Sequence, residues 1–262
     1  MSVGLSIVVP VYNGAEFIGS SVALLERTLA PGPSSYEIVV VDDGSTDGTP
    51  SRVPVSERVR LVSLPRNRGK FGALKAGMAE SRGRCRIFTD ADVPYDLEAL
   101  AYIESLVNDR GFHIVVGDRT LPDSVYGERL PWPRAKASQL FSLLVRLLVT
   151  GGLFDTQCGL KGFRGDVADA LFPLLTIEGF SGDVELLYIS LKYNLEIRRI
   201  PVRLRRQGRT SLRPGADASR MLWDAAQLRG KWERGLYEST SLRALSSQTY
   251  WPRGDSNSGT PA

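Results

Sequence analysis

Two carboxylates one residue apart, Asp90 and Asp92, follow the apolar run Cys85 to Thr89. Residues two apart in an extended chain point to the same side, so both acids are expected to face one point beyond the end of a buried strand. Carboxylates that close repel one another unless positive charge lies between them. A hard divalent cation carrying phosphate oxygens meets that need. The plain alternative is a strand-ending turn with solvated acids, and the rest of the chain has to separate the two.

The elements that would position the pair recur in a regular order. Leu5 to Val11 reads as a buried strand ending at Pro10-Val11-Tyr12-Asn13-Gly14, and Ala15 to Leu29 carries apolar residues at helical spacing. Tyr36 to Val41 is a second strand that stops at Asp42-Asp43-Gly44-Ser45-Thr46-Asp47. Val59 to Leu64 is a third, followed by Arg66-Asn67-Arg68-Gly69-Lys70 and a helix over Phe71 to Ser81. The strand before Asp90 is the fourth, Leu97 to Val107 is helical, and Phe112 to Gly117 is the fifth strand. Strands alternating with helices predict an α/β domain with a mainly parallel sheet covered on both faces. Ligands of such sheets bind beyond the carboxyl ends of the strands, and four of those ends here carry polar clusters. No G-x-G-x-x-G follows the first strand, and no Gly-Lys-Ser/Thr phosphate loop is present. Asp42 to Asp47 lacks the ligand spacing and closing Glu of an EF-hand loop.

The chain has 262 residues, 42% hydrophobic and 24% charged, with net charge +4. That composition is globular and mildly basic, which suits phosphate-bearing ligands or an anionic membrane surface. Cys85 and Cys158 stand too far apart in sequence to suggest a disulfide framework. The start lacks a basic stretch, so no secretory leader is expected. The most apolar run, Leu140 to Val149, is interrupted by Arg146 and is too short to span a bilayer. A cytoplasmic protein, peripheral at the inner membrane face, is the expectation.

Beyond residue 120 the pattern changes. Ala135 to Thr150 reads as an amphipathic helix, for a core or for a membrane surface. Asp155-Thr156-Gln157-Cys158-Gly159 is a polar turn before Leu160 to Phe163. Asp183 to Tyr193 is a helix carrying Asp183 and Glu185, and Glu196 to Val202 is the last strand. Arg203, Arg205, Arg206, Arg209 and Arg213 follow, and guanidinium forks suit phosphate. Ala216 to Glu233 is a further helix. His113 lies inside an apolar strand and reads as structural, and nothing basic beside Cys158 argues for a thiolate.

Pro10-Val11-Tyr12-Asn13, Asp42 to Asp47, Asn67-Arg68-Gly69-Lys70 and Asp90-Ala91-Asp92, in that order, resemble the family 2 inverting glycosyltransferases of GT-A fold. The resemblance covers about Leu5 to Glu238. It implies one domain over residues 1–238, with a nucleotide-sugar-binding half (1–119) and an acceptor-side half (120–238). The Ser/Gly/Pro-rich residues 239–262 are expected to form a disordered tail. Asp155 to Lys161 and Phe180-Ser181-Gly182-Asp183-Val184-Glu185-Leu186-Leu187 are similar to the dolichyl- and polyprenyl-phosphate hexose synthases. Pro94 stands where the mannosyl branch often has Gln, which favours UDP-glucose over GDP-mannose as donor.

The family implies that Pro10, Tyr12, Glu16 and Asp42 hold the nucleoside and that Asn67 and Lys70 lie near the diphosphate or sugar. Asp90 and Asp92 would share Mg²⁺ or Mn²⁺ with the diphosphate, and Arg119, Arg206, Arg209 and Arg213 would contact donor or acceptor phosphate. A phosphate acceptor is already a nucleophile, whereas a hydroxyl acceptor needs a base, for which Asp183 or Glu185 would serve. The plain alternative for Asp183 is a helix N-cap. The leading expectation is transfer of a hexose to a polyprenyl phosphate. A soluble hydroxyl acceptor is the alternative. A non-catalytic nucleotide- or nucleic-acid-binding protein is a remote third, and no RNA-binding aromatic signature accompanies the basic residues.

Overall fold

The computed structural model describes residues 3–32, 34–125, 155–205 and 216–248. The strands are β1 (Leu5–Val11), β2 (Tyr36–Asp42), β3 (Val59–Ser63), β4 (Cys85–Phe88), β5 (Ile114–Asp118), β6 (Lys161–Arg164) and β7 (Ile197–Pro201). The helices are α1 (Ile18–Leu29), α2 (Lys70–Glu80), α3 (Glu98–Asn108), α4 (Gly165–Leu171), α5 (Gly182–Lys192), α6 (Ala216–Glu233) and α7 (Thr240–Ser247). Among the described residues the strands form one seven-stranded sheet in the order β3-β2-β1-β4-β6-β5-β7.

Strand alternation divides the core into two layers. Val8, Val39 and Val41 face α2, α4 and α5 through Phe71, Leu74, Met78, Leu171 and Leu187. Their neighbours Ile7, Val9, Ile38 and Val40 face α1 and α3 through Ile18, Val22, Leu25, Leu100 and Ile103. Strands buried on both faces need continuous apolar runs, which is how β1 and β2 read. Each such side chain contributes about 1.5–3 kcal/mol on burial.

The sheet is parallel except at β6, which runs antiparallel to both β4 and β5. Lys161-Gly162-Phe163-Arg164, a stretch to which the sequence reading assigned no element, supplies this strand. Its reversal has a positional result. The start of β6 lies where its neighbours end, with Lys161 opposite Phe88 and Val116. The turn leading into Lys161 therefore sits at the ligand-binding end of the sheet.

The expected disordered tail from Ser239 differs from what is observed. Ser239 Oγ accepts the Leu242 amide at 3.2 Å and caps α7, and Leu242 is fully buried beside Leu228 and Tyr237. Leu242 and Leu245, three apart, share one helical face. The surrounding Ser and Thr residues hide that short pattern in any composition average.

Candidate active site

At the ends of β1 and β2, two loops interlock. Ser45 Oγ accepts the Asn13 amide at 2.8 Å, and Asn13 Oδ1 accepts the Thr46 amide at 2.8 Å. Thr49 Oγ1 accepts from Gly14 N, and an Asp47 carboxylate oxygen accepts from Ala15 N. Asp42 is buried, pairs in register with Val11, and accepts weakly from Ser45 N at 3.3 Å. Tyr12 is 49% exposed and Glu16 is exposed, both beside this interlock, while Pro10 is half-buried on β1. The residues expected around a nucleoside are thus gathered at one edge.

Asp43 faces the next loop. Its two oxygens accept from Arg68 N (2.7 Å) and Gly69 N (2.8 Å). Burial pushes its carboxyl above the usual range, against those two bonds. Asn67 Oδ1 also accepts from Gly69 N, at 3.1 Å. Gly69 has φ +85°, and a Cβ there would meet Glu178 O at 2.7 Å, so only glycine fits. This anchored loop delivers Lys70 at the first position of α2, where its ammonium lies 2.7 Å from Asp90 Oδ1. Burial would lower the Lys70 pKa, but the charges of Asp90 and Asp183 outweigh it and hold it above the ordinary lysine value.

Asp90 and Asp92 do not continue β4. They occupy a turn closed by Val93 N donating to Asp90 O at 2.9 Å. Val93 sits at φ +46°, a region that β-branched residues rarely enter. The acids therefore lie in a tight turn rather than along an extended strand. Opposite them is the Asp155–Lys161 turn. A Cβ on Gly159 would stand 1.8 Å from Asp90 Oδ2, and Gly159 N donates to the Tyr95 hydroxyl at 3.2 Å. Lys161, fully buried, donates to Thr156 O (3.1 Å), Cys158 O (2.7 Å) and Asp183 Oδ1 (2.5 Å). Its ammonium and that of Lys70 both lie within 6 Å of the Phe88 ring centre, at 5.4 and 5.8 Å.

The remaining candidates fall into distinct settings. Asp183 is 1% exposed and bound to Lys161; its side chain does not cap α5. Glu185 is buried and accepts from Thr176 N (2.9 Å), Thr176 Oγ1 (2.6 Å), Ile177 N (2.8 Å) and the Tyr237 hydroxyl (2.6 Å). It ties α5 to the chain after α6, apart from the Asp90 turn. Arg119 forms a two-pronged pair with Asp155, Nη2 to Oδ1 at 2.7 Å. Burial alone would raise the Asp155 pKa, but the guanidinium holds it below the usual range. Arg206, Arg209, Arg213 and the expected helix over 135–150 lie outside the described residues. The chain just before them is placed: Arg203 O accepts from Asp96 N (2.8 Å), and Arg205 N donates to Pro94 O (2.7 Å). Arg203 and Arg205 are thus bonded through their backbones to the chain that follows Asp92.

The fold agrees with the comparisons. A model of glycosyl transferase family 2 matches residues 6–172. The chain belongs to that family. This family 2 glycosyltransferase is 32% identical over 254 residues to a Dictyostelium discoideum protein named dolichyl-phosphate beta-glucosyltransferase, covering 90% of this chain and 77% of the relative. It is 34% identical over 218 residues to a Drosophila melanogaster protein of the same name, with 77% and 67% covered. Among solved structures, glucosyl-3-phosphoglycerate synthase from Mycobacterium tuberculosis, in complex with Mn²⁺, UDP and phosphoglyceric acid, superposes with TM-score 0.63 at 20% identity, over 87% of this chain and 77% of that one. Identity that low establishes the fold, GT-A as expected.

The donor set suits a hard cation in part. Asp90 and Asp92 supply carboxylate oxygens, and among the described residues no group of three or more His, Cys, Asp or Glu gathers at one point. Remaining coordination positions would fall to a diphosphate and water, as befits a cation bound together with substrate. Sequence reasoning passed over Lys161, Gly159 and Tyr95. The available signal was Lys161 standing between Leu160 and Gly162-Phe163, because a cation buried in a strand has to be paired.

Proposed function

We propose that this glycosyltransferase moves glucose from UDP-glucose to a polyprenyl phosphate of the dolichyl type, with inversion at the anomeric carbon. The observation that carries the reading is the state of the two candidate bases. Asp183 is withdrawn into a buried pair with Lys161, and Glu185 is engaged by four donors. A hydroxyl acceptor would need one of them to take a proton, whereas a phosphate monoester arrives ionised and needs neither. The names of the two relatives, each matched over two thirds or more of its length, support the same acceptor and sugar.

In this reading the uracil and ribose lie against Tyr12, Glu16 and Asp42, beside Pro10. Asn67 and Lys70 face the diphosphate, and Lys70 offers it a charged donor from the first turn of α2. Asp90 and Asp92 would hold Mg²⁺ or Mn²⁺, which when bound offsets the charge gathering on the departing diphosphate. An oxygen of the acceptor phosphate forms the new bond to C1 from the face opposite the departing diphosphate. The C1–O electron pair leaves with UDP. Arg206, Arg209 and Arg213 follow on Arg205, whose backbone is fastened to Pro94, so acceptor phosphate is proposed to approach from that side, with Arg119 supporting it. No helix among the described residues is long and apolar enough to cross a membrane, so a lipid acceptor would be met by reversible attachment at the bilayer surface.

The test is a donor and acceptor screen. Labelled UDP-glucose and GDP-mannose are offered with dolichyl phosphate in anionic vesicles or with water-soluble sugars. Label from UDP-glucose is expected in the lipid fraction, and loss of transfer in excess EDTA. Efficient transfer to a soluble hydroxyl acceptor, with dependence on Asp183, would replace the reading.

A further inference from the structure

We propose that the Asp155–Lys161 turn, held by the buried Lys161 ammonium, is a positioning device for the Asp90 carboxylate. The inference rests on Asp90 being a ligand of a donor-bound cation, as proposed above. It concerns residues to which that reading gives no task.

Because β6 is reversed, Lys161 enters the sheet at the ligand-binding end, directly across from Phe88 of β4. An ammonium has three protons to donate, and here each has a partner. Two are carbonyl oxygens of the turn, on either side of Gln157, and the third is Asp183 Oδ1 in the first turn of α5. One side chain thus fixes both the shape of the turn and its distance from α5. An apolar side chain of similar length would be easier to bury than this ion pair. What the cation adds is the hold on two backbone carbonyls.

The held turn has a point of contact with the reacting region. Gly159, next after Cys158, lies so close to Asp90 that a Cβ would stand 1.8 Å from Oδ2 and 2.7 Å from Oδ1. On the other side, Lys70 Nζ is 2.7 Å from Oδ1. The carboxylate is wedged between the glycine backbone and the lysine, and its direction follows from where the turn stands. The Tyr95 hydroxyl, accepting from Gly159 N, fixes the same residue from the Asp92 side. The other end of the turn is fastened by Arg119 to Asp155. Residues that orient a metal ligand are typically worth about 10- to 100-fold in metal affinity or activity.

If Lys161 and Asp183 were only a core ion pair, removing both charges together would leave metal affinity as it was. Mn²⁺ binding in the presence of UDP, read from the electron paramagnetic resonance of free Mn²⁺, separates the cases without recourse to turnover. Gly159→Ala and the double variant Lys161→Met/Asp183→Asn are each expected to weaken Mn²⁺ by about 10- to 100-fold. Uridine binding without metal, at the β1 and β2 ends, is expected to stay at the wild-type value. The double variant avoids stranding a buried carboxylate; should it not fold, Gly159→Ala decides alone. Wild-type Mn²⁺ affinity in either folded variant overturns the proposal. Wild-type protein that takes up no Mn²⁺ with UDP or GDP would instead remove the metal reading, and this inference with it.

Discussion

At the ends of β1 and β2, the loops are fastened by backbone amides and short side chains, those of Asn13, Ser45 and Asp47 in the open and that of Thr49 buried. At the ends of β4 and β6, the contacts are ion pairs, with Lys161–Asp183 wholly buried and Lys70–Asp90 partly so. In the proposed reading the difference separates two tasks. A flat, uncharged nucleoside would meet a locally braced edge. A diphosphate and its cation would meet side-chain charges already paired, some of them with more than one partner. Lys70, for instance, feels Asp183 as well as Asp90.

This contrast predicts where substitutions act. The largest effect belongs to the charged end: Asp92→Asn is expected to lower single-turnover transfer by about 10³-fold or more, in the range of losing a principal stabiliser of developing charge. Circular dichroism should be unchanged, and near-normal turnover would remove Asp92 from the chemistry. Glu185 should behave in the opposite way. Glu185→Ala strands the Thr176 and Ile177 amides and the Tyr237 hydroxyl, and is expected to cost about 3–5 kcal/mol in urea unfolding while sparing kcat per folded molecule. A lost kcat at full stability would return Glu185 to catalysis.

At the nucleoside edge the effect is smaller. Asp42→Ala is expected to weaken UDP by about tenfold, or 1.4 kcal/mol, with little change in the rate from bound donor. Calorimetry showing equal affinity would make Asp42 a turn residue only. Acid stability gives a further handle on the charged end. Asp155 has a folded pKa below its ordinary 3.8, so its contribution is complete above that value and is lost as pH falls through the lowered one. Arg119→Gln should flatten this acid limb, and an unchanged limb would show that the pair is idle. The smallest effect is chemical. Burial pushes the Cys158 thiol up to about 11, so alkylation at pH 7.5 should proceed only after unfolding, and rapid labelling of native protein would contradict the burial.

The same contrast explains how much of the molecule was legible in the sequence. The strands β1 to β5 and β7 were each placed to within two residues at either end, most directly β1 and β2, whose buried runs are largely apolar. The residues proposed for the nucleoside were legible because they lie in two short contiguous clusters. The charged end joins residues 70, 90, 159, 161 and 183, and no local pattern reports that Lys161 would be brought beside Asp183. The reversal of β6 was invisible for a related reason: four residues with a lysine at the head resemble a loop remnant until β4 and β5 pair with them. An extended-chain rule singles out Asp90 and Asp92, yet they lie in a turn with Val93 at positive φ. The spacing of the two acids was legible, and the backbone that carries them was not.

A reversed strand in a parallel sheet also affects how the protein can change over evolutionary time. β5 leaves the sheet at Asp118 and β6 enters at Lys161, and both points lie on the ligand side. Arg119 and Asp155 clasp the two ends of the intervening stretch. The sequence between them starts and ends at a single ion pair. In the proposed reading, in which the acceptor lies on this side, a lineage could change what it glycosylates by rewriting that stretch of sequence while β5 and β6 keep their register.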